Sequence, residues 1–390
     1  MIAVFDCISH AFMHLPFNEG YLRMLRAAYP DAPIVFHARQ AHIDQLAPRF
    51  AGDDRITFRA CAPLATPFGL SRHNPLGGRI GAWQCWQSLQ PSIRRQKLSF
   101  AALLGADSNL HAVFAARWPS ASTAPLHMII HNHVADVVNW RSRNPLIRMF
   151  DLLSVMRRPL PKRVRLVALE LGIADAVKEL APAMAGAIET LEHPVLETEW
   201  LPDHGVAADG GPLRIGFVGH ASVNKGFDRF VAWATRYAAP DREFHAVGIA
   251  GSETRTMDLS ALARRPAARS EPRPEYLAAL AACDVICLPL PPRSYEYVAS
   301  GSVIDAIAGL KPLFSIRNRS FDAIGAKYGP IGHFAENADA LGEVIGGLTR
   351  GGIAGERAAW MENLARLRAA RRPEALAPAY AEAVARTAAG

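Results

Sequence analysis

Cysteine is scarce in this chain, with five in 390 residues: Cys7, Cys61, Cys85, Cys283 and Cys287. So few and so dispersed, they exclude a disulfide framework. Cys283 and Cys287 stand four apart around an apolar run rather than in a CxxC knuckle, so no zinc site is expected there. They read as small buried hydrophobes in a reducing compartment. Long apolar runs are also missing, and no stretch approaches the roughly 20 residues of a membrane-spanning helix. The N-terminus has no basic segment followed by an apolar one, so no signal peptide is read and a cytoplasmic location is expected. Glycine and proline are frequent but scattered, which argues against a long disordered segment. No helix-turn-helix, zinc-finger or basic–aromatic pattern is found, so nucleic acid is not an expected partner.

Half of the residues are hydrophobic and 20% are charged, the balance of a globular protein with room for two cores. The net charge of +7 is concentrated in Arg94, Arg95 and Lys97, then in Arg157, Arg158, Lys162, Arg163 and Arg165. Such patches suit phosphate-bearing substrates or anionic lipid; an ordinary solvated basic face is the alternative. Leu152, Leu153, Val155 and Met156 precede the second patch, so this segment is a candidate to rest on the inner face of a membrane.

Short apolar runs alternate with helical stretches along the whole chain. Strands are expected at Ile2 to Phe5, Pro33 to Phe36, Leu126 to Ile130 and Val164 to Leu169. A second series follows at Leu213 to Val218, Phe244 to Val247, Val285 to Leu288 and Pro312 to Ser315. Helices are read at Tyr21 to Ala28, His42 to Leu46, Ala174 to Leu180 and Phe227 to Tyr237, and again from Pro274, Ser302, Ala338 and Glu356 onward. Buried strands alternating with helices predict parallel sheets covered on both faces. The turn-rich segment Trp200 to Pro212 divides the series. The expected organisation is an N-terminal domain over 1–200, a C-terminal domain over 201–370, and a helix over 371–390 with the option of packing back on the first domain.

Two segments carry the chemistry. In RIGFVGHASVNKGFDRFVAWATRY, from Arg214 to Tyr237, a strand ends at Gly219 and a helix opens near Lys225 and Gly226. Gly219 allows close backbone approach, and Lys225 with N–H groups at a helix start makes an anion site. An ordinary turn with a surface lysine is the plainer reading. In CDVICLPLPPRSYEYVASGSVIDAIAGLKPLFS, from Cys283 to Ser315, a buried strand leads through a polar loop to Ser300, Gly301 and Ser302 at a helix mouth. Their N–H groups favour phosphate at the positive end of the helix dipole. Asp305 lies one turn further in, where a carboxylate can accept hydrogen bonds from a ribose diol. Together these features describe a nucleotide diphosphate.

The two segments resemble the C-terminal halves of GT-B glycosyltransferases of glycosyltransferase family 4. Gly219, Lys225 and Gly226 match the strand–Gly–Lys-Gly part, and Asp305, Ala306, Ala308 and Pro312 match the end of the acidic motif, with Leu310 where glycine is usual. The likeness runs over roughly residues 164 to 315, whereas the first 160 match only in layout. His220 stands where many members carry arginine, and the first acid of the motif falls on Tyr297, with Glu296 one place away. Ser294, Tyr295, Ser300 and Gly301 fit a variant of that motif, and either Glu296 or Tyr297 faces the sugar.

The resemblance implies two Rossmann-like domains facing across a cleft and transfer from a UDP- or GDP-sugar without a metal or other cofactor, with retention of configuration. It implies donor contacts from Gly219, His220, Lys225, Gly226, Tyr295, Ser300, Gly301, Ser302 and Asp305. Glu296, Lys225 and His131, the last after the strand Leu126 to Ile130, would stand near the transferred sugar. His131 reads equally well as a loop histidine, and no third ligand has metal spacing to it and His133. His10 and His14, after the first strand, are weaker candidates for the acceptor. That acceptor is expected to be a glycan or a lipid-linked glycan of bacterial polysaccharide or glycoconjugate assembly. Two alternatives stand beside this reading: an inverting transferase using His10, His14 or His131 as base, and a catalytically silent GT-B protein that binds glycan or a partner.

Overall fold

The computed structural model describes residues 1–61, 75–131, 134, 137, 142–201 and 211–390. The chain divides into two compact units. Unit 1 comprises residues 1–194, 297–299 and 372–390; unit 2 comprises 195–296 and 300–371. This is the GT-B fold, two α/β units that each carry a parallel sheet.

Among the described residues the sheet of unit 1 has seven strands: β1 (Ile2–Asp6), β2 (Ile34–Ala38), β3 (Ile56–Ala60), β4 (Phe100–Leu104), β5 (Leu126–Ile130), β6 (Val164–Leu169) and β7 (Ile188–Leu191). Their order is β3-β2-β1-β4-β5-β6-β7, and every pairing is parallel. The five residues of β1, β2, β4 and β5 are buried throughout, as strands covered on both faces must be. The edge strands β3 and β7 are instead only partly buried.

The C-terminal helix Pro373–Ala389 is part of this unit and packs on the helix Leu15–Ala28. A buried polar chain pins it there. The Tyr21 and Tyr380 hydroxyls are 2.6 Å apart, and His127 Nδ1 and Nε2 meet Tyr380 and Thr387 at 3.0 and 2.8 Å. Burial holds the His127 imidazole neutral, at about 3.

The residues Leu152, Leu153, Val155 and Met156 are core residues of this unit. They are therefore not an apolar face for a membrane, whereas Arg157, Arg158, Lys162 and Arg163 beside them are exposed. The helix Leu152–Met156 is too short to cover the sheet and show a second apolar face at once. Among the described residues no helix is long and apolar enough to cross a membrane. Cys7, Cys61 and Cys85 meet in the same core as free thiols, and contact with the other two pushes the Cys7 thiol well up.

In unit 2 the strands are β8 (Leu213–Val218), β9 (Arg242–Val247), β10 (Val285–Leu288), β11 (Leu313–Ile316) and β12 (Gly332–Ala335), in the parallel order β12-β11-β10-β8-β9. The helix Phe227–Tyr237 buries Phe227, Phe230, Val231 and Ala234, which recur at helical spacing. Phe217, Phe227, Phe230 and Phe244 form one aromatic cluster, with ring centroids 4.9 to 6.2 Å apart. Removing such a ring costs about 3–5 kcal/mol. In each sheet the chain order reverses at one point, between β1 and β4 and between β8 and β10. The crevice beyond the carboxyl ends of strands at such a reversal is where open α/β sheets hold ligands.

Candidate functional site

At the reversal in unit 2, β8 runs into Gly219 with φ of 92°. A Cβ there would lie 2.4 Å from Ser302 Oγ and 3.1 Å from Lys225 Nζ. The missing side chain is therefore what admits both groups to the end of the strand. Lys225 Nζ donates to Ser302 Oγ at 2.9 Å, and that hydroxyl donates to the Val218 carbonyl at 2.7 Å. Lysine, serine and the last residue of β8 form one short chain. Burial lowers the half-buried Lys225 ammonium to about 8, and the Asp305 carboxylate opposes that shift. Gly226 has φ of 76°, and a Cβ on it would stand 2.2 Å from the Pro289 carbonyl, so the loops after β8 and β10 touch there.

The two helix starts expected to bind an anion differ. Before the helix Phe227–Tyr237 stands a 3-10 turn, Val223–Lys225. It consumes the N–H groups of Lys225, Gly226 and Phe227, which donate to Ser222, Val223 and Ser222 carbonyls at 2.9, 2.9 and 3.1 Å. The expectation of free N–H groups is thus corrected for Lys225 and Gly226 themselves, whose N–H groups the tight turn satisfies internally. What this segment offers is the ammonium.

The helix Gly301–Ala308 is the opposite case. Ser300 is its N-cap, yet its hydroxyl caps nothing and, among the described residues, is buried without a partner. Among the described residues the N–H groups of Ser300, Gly301 and Ser302 have no backbone acceptor. Gly301 is exposed, and a Cβ on it would meet nothing within 4 Å. The mouth is open, and Lys225 reaches its third residue.

Asp305 stands one turn in, but its carboxylate is not idle. Arg273 donates to Oδ1 at 2.7 Å and Tyr276 to Oδ2 at 2.6 Å. The Arg273 guanidinium also sits 4.8 Å from the Tyr276 ring centroid. Burial, and then the Asp305 carboxylate, push the Tyr276 hydroxyl well up, which keeps it a donor. Both partners lie on the helix Arg273–Ala281, and sequence reasoning missed them because no fixed spacing links that helix to Asp305. Glu296 is paired with Arg319 at 2.8 Å. Tyr295 packs on the core of unit 2, and burial pushes its hydroxyl to about 12. Tyr297 belongs to unit 1 and packs on that unit's core, so the two residues competing for the sugar-facing role fall in different units. His220 is exposed.

The reversal in unit 1 is built on a network that the sequence did not announce. Asp6, the last residue of β1, accepts from the Ile8 and Ser9 N–H groups at 3.2 and 2.9 Å and from Asn18 Nδ2 at 2.6 Å. Asn18 Nδ2 also meets His42 Nε2 at 2.8 Å, and His42 Nδ1 meets the Ala11 carbonyl at 2.6 Å. This network holds the loop after β1, in which Ala11 and His14 take left-handed φ of 48° and 55° without being glycine. His10 in that loop is exposed. The His14 ring lies 4.3 Å from the His131 ring, and Phe17 lies 5.1 Å from His131 and 5.0 Å from His193. His14 and His131, read as separate candidates, are therefore one aromatic cluster. His10 is not part of it. Glu170, with φ of 80°, accepts from the His193 N–H at 3.0 Å. Among the described residues no group of three or more His, Cys, Asp or Glu could hold a metal; His133 lies outside them.

No protein-family model and no curated protein matches the sequence. Solved structures do match the fold. HepE of Anabaena, solved in complex with UDP and glucose, is 14% identical, covers 99% of each chain and superposes with a TM-score of 0.63. WaaG, a glycosyltransferase involved in lipopolysaccharide biosynthesis, is 12% identical over 98% of this chain and 99% of its own, with a TM-score of 0.60. The catalytic domain of starch synthase IV from Arabidopsis thaliana, bound to ADP and acarbose, is 8% identical over 100% and 99%, with a TM-score of 0.66.

Proposed function

We propose that the chain is a glycosyltransferase that binds the diphosphate of a nucleotide-sugar at the open helix mouth of unit 2. One observation carries this reading: Lys225 Nζ reaches across the bare Gly219 to Ser302, in the first turn of a helix whose N–H groups are unspent. A cation and a helix dipole aimed at one point stabilise the charge that develops on a departing diphosphate. They supply the positive charge that other transferases draw from a divalent ion, so transfer is expected to proceed without added metal. Gly219, Gly226, Ser300, Gly301 and Ser302 shape this pocket. Asp305, steadied by Arg273 and Tyr276, has lone pairs left for the ribose hydroxyls. On this reading Tyr295, Glu296 and His220 would line its approach. The UDP bound to HepE and the ADP bound to starch synthase IV support a nucleotide ligand for this fold.

On this reading a UDP- or GDP-sugar is the donor and transfer retains configuration, with the departing phosphate helping to deprotonate the acceptor hydroxyl. His131 and Glu296 serve the transferred sugar, and His10 and His14 the acceptor, a glycan or lipid-linked glycan of polysaccharide assembly. The exposed Arg157, Arg158, Lys162 and Arg163 give unit 1 an electrostatic hold on an anionic membrane surface. With the neighbouring apolar residues in the core, flotation with anionic vesicles is expected to vanish at high salt. Flotation that resists salt would contradict that hold.

A second reading draws on the Glu296–Arg319 and Asp305–Arg273 ion pairs. Both acids of the expected motif are already paired, as in a silent scaffold. Calorimetry with UDP and GDP separates the two. The transferase reading expects micromolar binding of one nucleotide, and no binding at millimolar nucleotide would favour the scaffold. The anomeric configuration of the product, read by NMR, tests retention against inversion.

A further inference from the structure

Unit 2 also contains a cavity of about 370 Å³ whose lining includes none of Ser300, Gly301, Ser302 and Lys225. Its floor includes Ile316, the last residue of β11. It is lined by Glu336 and Asn337, between β12 and the helix Ala338–Gly347, by Asp339 in the first turn of that helix, and by Arg229 and Trp233. The volume is within the range of small-molecule sites, and the lining divides into an apolar side and a polar rim.

The indole is held in place. A Cβ on Gly342, in the middle of the helix Ala338–Gly347, would fall 2.6 Å from Trp233 Nε1. One turn on, a Cβ on Gly346 would fall 2.8 Å from the Tyr237 ring. Glycine inside a helix is unfavourable by about 0.5–1 kcal/mol relative to alanine. Here the two glycines seat two rings of the neighbouring helix and fix the wall of the cavity.

The charges select the ligand. Asp339 lies in the first turn of its helix, and Glu336 remains 73% exposed even though Arg317 Nη1 approaches it at 3.0 Å. Two carboxylates against the Arg229 guanidinium disfavour phosphate and other anions. Together with the Asn337 amide they offer acceptors and donors around a planar ring. An uncharged ligand with one C–H face and a rim of hydroxyls matches that arrangement.

We propose that this cavity is a second carbohydrate site, binding one neutral pyranose ring of a glycan with its C–H face on Trp233. Its hydroxyls bond to Asp339, Glu336 and Arg229. The site does not depend on the nucleotide reading, because none of its residues belongs to the helix mouth.

Labelling with 5-fluorotryptophan gives one 19F signal for each of seven tryptophans, and Trp233→Phe identifies the relevant one. Glucose, galactose, maltose and N-acetylglucosamine are titrated with and without saturating UDP. The expected result is a saturable millimolar shift of the Trp233 signal by at least one sugar, unchanged by UDP and unchanged in Lys225→Ala. Asp339→Asn, at an exposed position, should weaken it about tenfold, the scale of one charge-assisted hydrogen bond. Absence of a saturable shift with every sugar would overturn the proposal. So would a shift seen only with glucose 1-phosphate or glucosamine, or one abolished by UDP. Failure of UDP to bind at all would sink the nucleotide reading and leave this titration intact.

Discussion

The two sheets reverse their strand order in the same way, yet they treat the polar groups at that point in opposite ways. In unit 1 the groups turn on one another. Asp6 accepts three hydrogen bonds, both nitrogens of His42 are engaged, and the loop is held through left-handed Ala11 and His14, with Asn18 Oδ1 left over. In unit 2, among the described residues, the groups are left open: three N–H groups at a helix mouth without a backbone acceptor, a buried Ser300 hydroxyl without a partner, and an ammonium whose charge is weakened by burial. Unsatisfied buried polarity is unfavourable and rare in folded proteins. Among the described residues, the partnerless Ser300 hydroxyl beside the open N–H groups therefore marks where a charged ligand would complete unit 2.

The contrast can be broken most forcefully at Lys225. Lys225→Ala should lower sugar transfer by about 10² or more, the scale of one lost charge-stabilising donor. Steady-state kinetics with a matched nucleotide-sugar would read this, and near-normal turnover would remove the lysine from the site. At the closed edge, Asn18→Ala should instead destabilise the protein by about 1–3 kcal/mol, by leaving Asp6 and His42 short of a partner. Denaturant unfolding would detect it, and nucleotide affinity should not change.

Gly226→Ala should cost about 1–3 kcal/mol from backbone strain alone, before the clash with Pro289 is counted. Gly219→Ala, at φ of 92°, should carry similar strain and, by meeting Ser302 and Lys225, lose more nucleotide affinity than Gly226→Ala. The reverse pattern in the two glycine variants would contradict the geometry.

The Lys225 ammonium gives the contrast a pH signature. Its value in the folded protein, about 8, lies below the ordinary 10.5. The unfolded chain therefore holds more proton between these values, so the contribution of Lys225 to stability rises with pH through that window. At pH 7 the charge opposes folding, and Lys225→Met should raise the melting temperature of the ligand-free protein by about 2–4 °C for each kcal/mol regained. Nucleotide affinity should fall as pH rises through about 8 in the wild type and stay level in Lys225→Arg. The smallest effect is expected at His220, which is exposed; His220→Ala should change nucleotide affinity less than about threefold.

Strands buried on both faces were the legible part of the fold. Leu126–Ile130, Val164–Leu169, Leu213–Val218 and Val285–Leu288 stand where their apolar runs place them. The edge strands β3, β7 and β12 escaped because half-solvated residues interrupt their apolar pattern. The helix Pro75–Arg95 escaped because Gly77, Gly78, Gly81 and Pro91 mask its propensity. At the site, the convergence of Lys225 with Ser302 was readable because each segment pairs a strand end with a helix start. The paired state of Asp305 and Glu296 was not, because Arg273, Tyr276 and Arg319 reach them only through tertiary packing. The turn that consumes the N–H groups at Lys225 was equally hidden, since a 3-10 turn and a helix start share the same residue types.

A structure of the protein with UDP tests the central claim most directly. Diphosphate oxygens are expected about 2.7–3.2 Å from Lys225 Nζ and from the Gly301 or Ser302 N–H. A diphosphate seated elsewhere, with those N–H groups still facing solvent, would contradict the account.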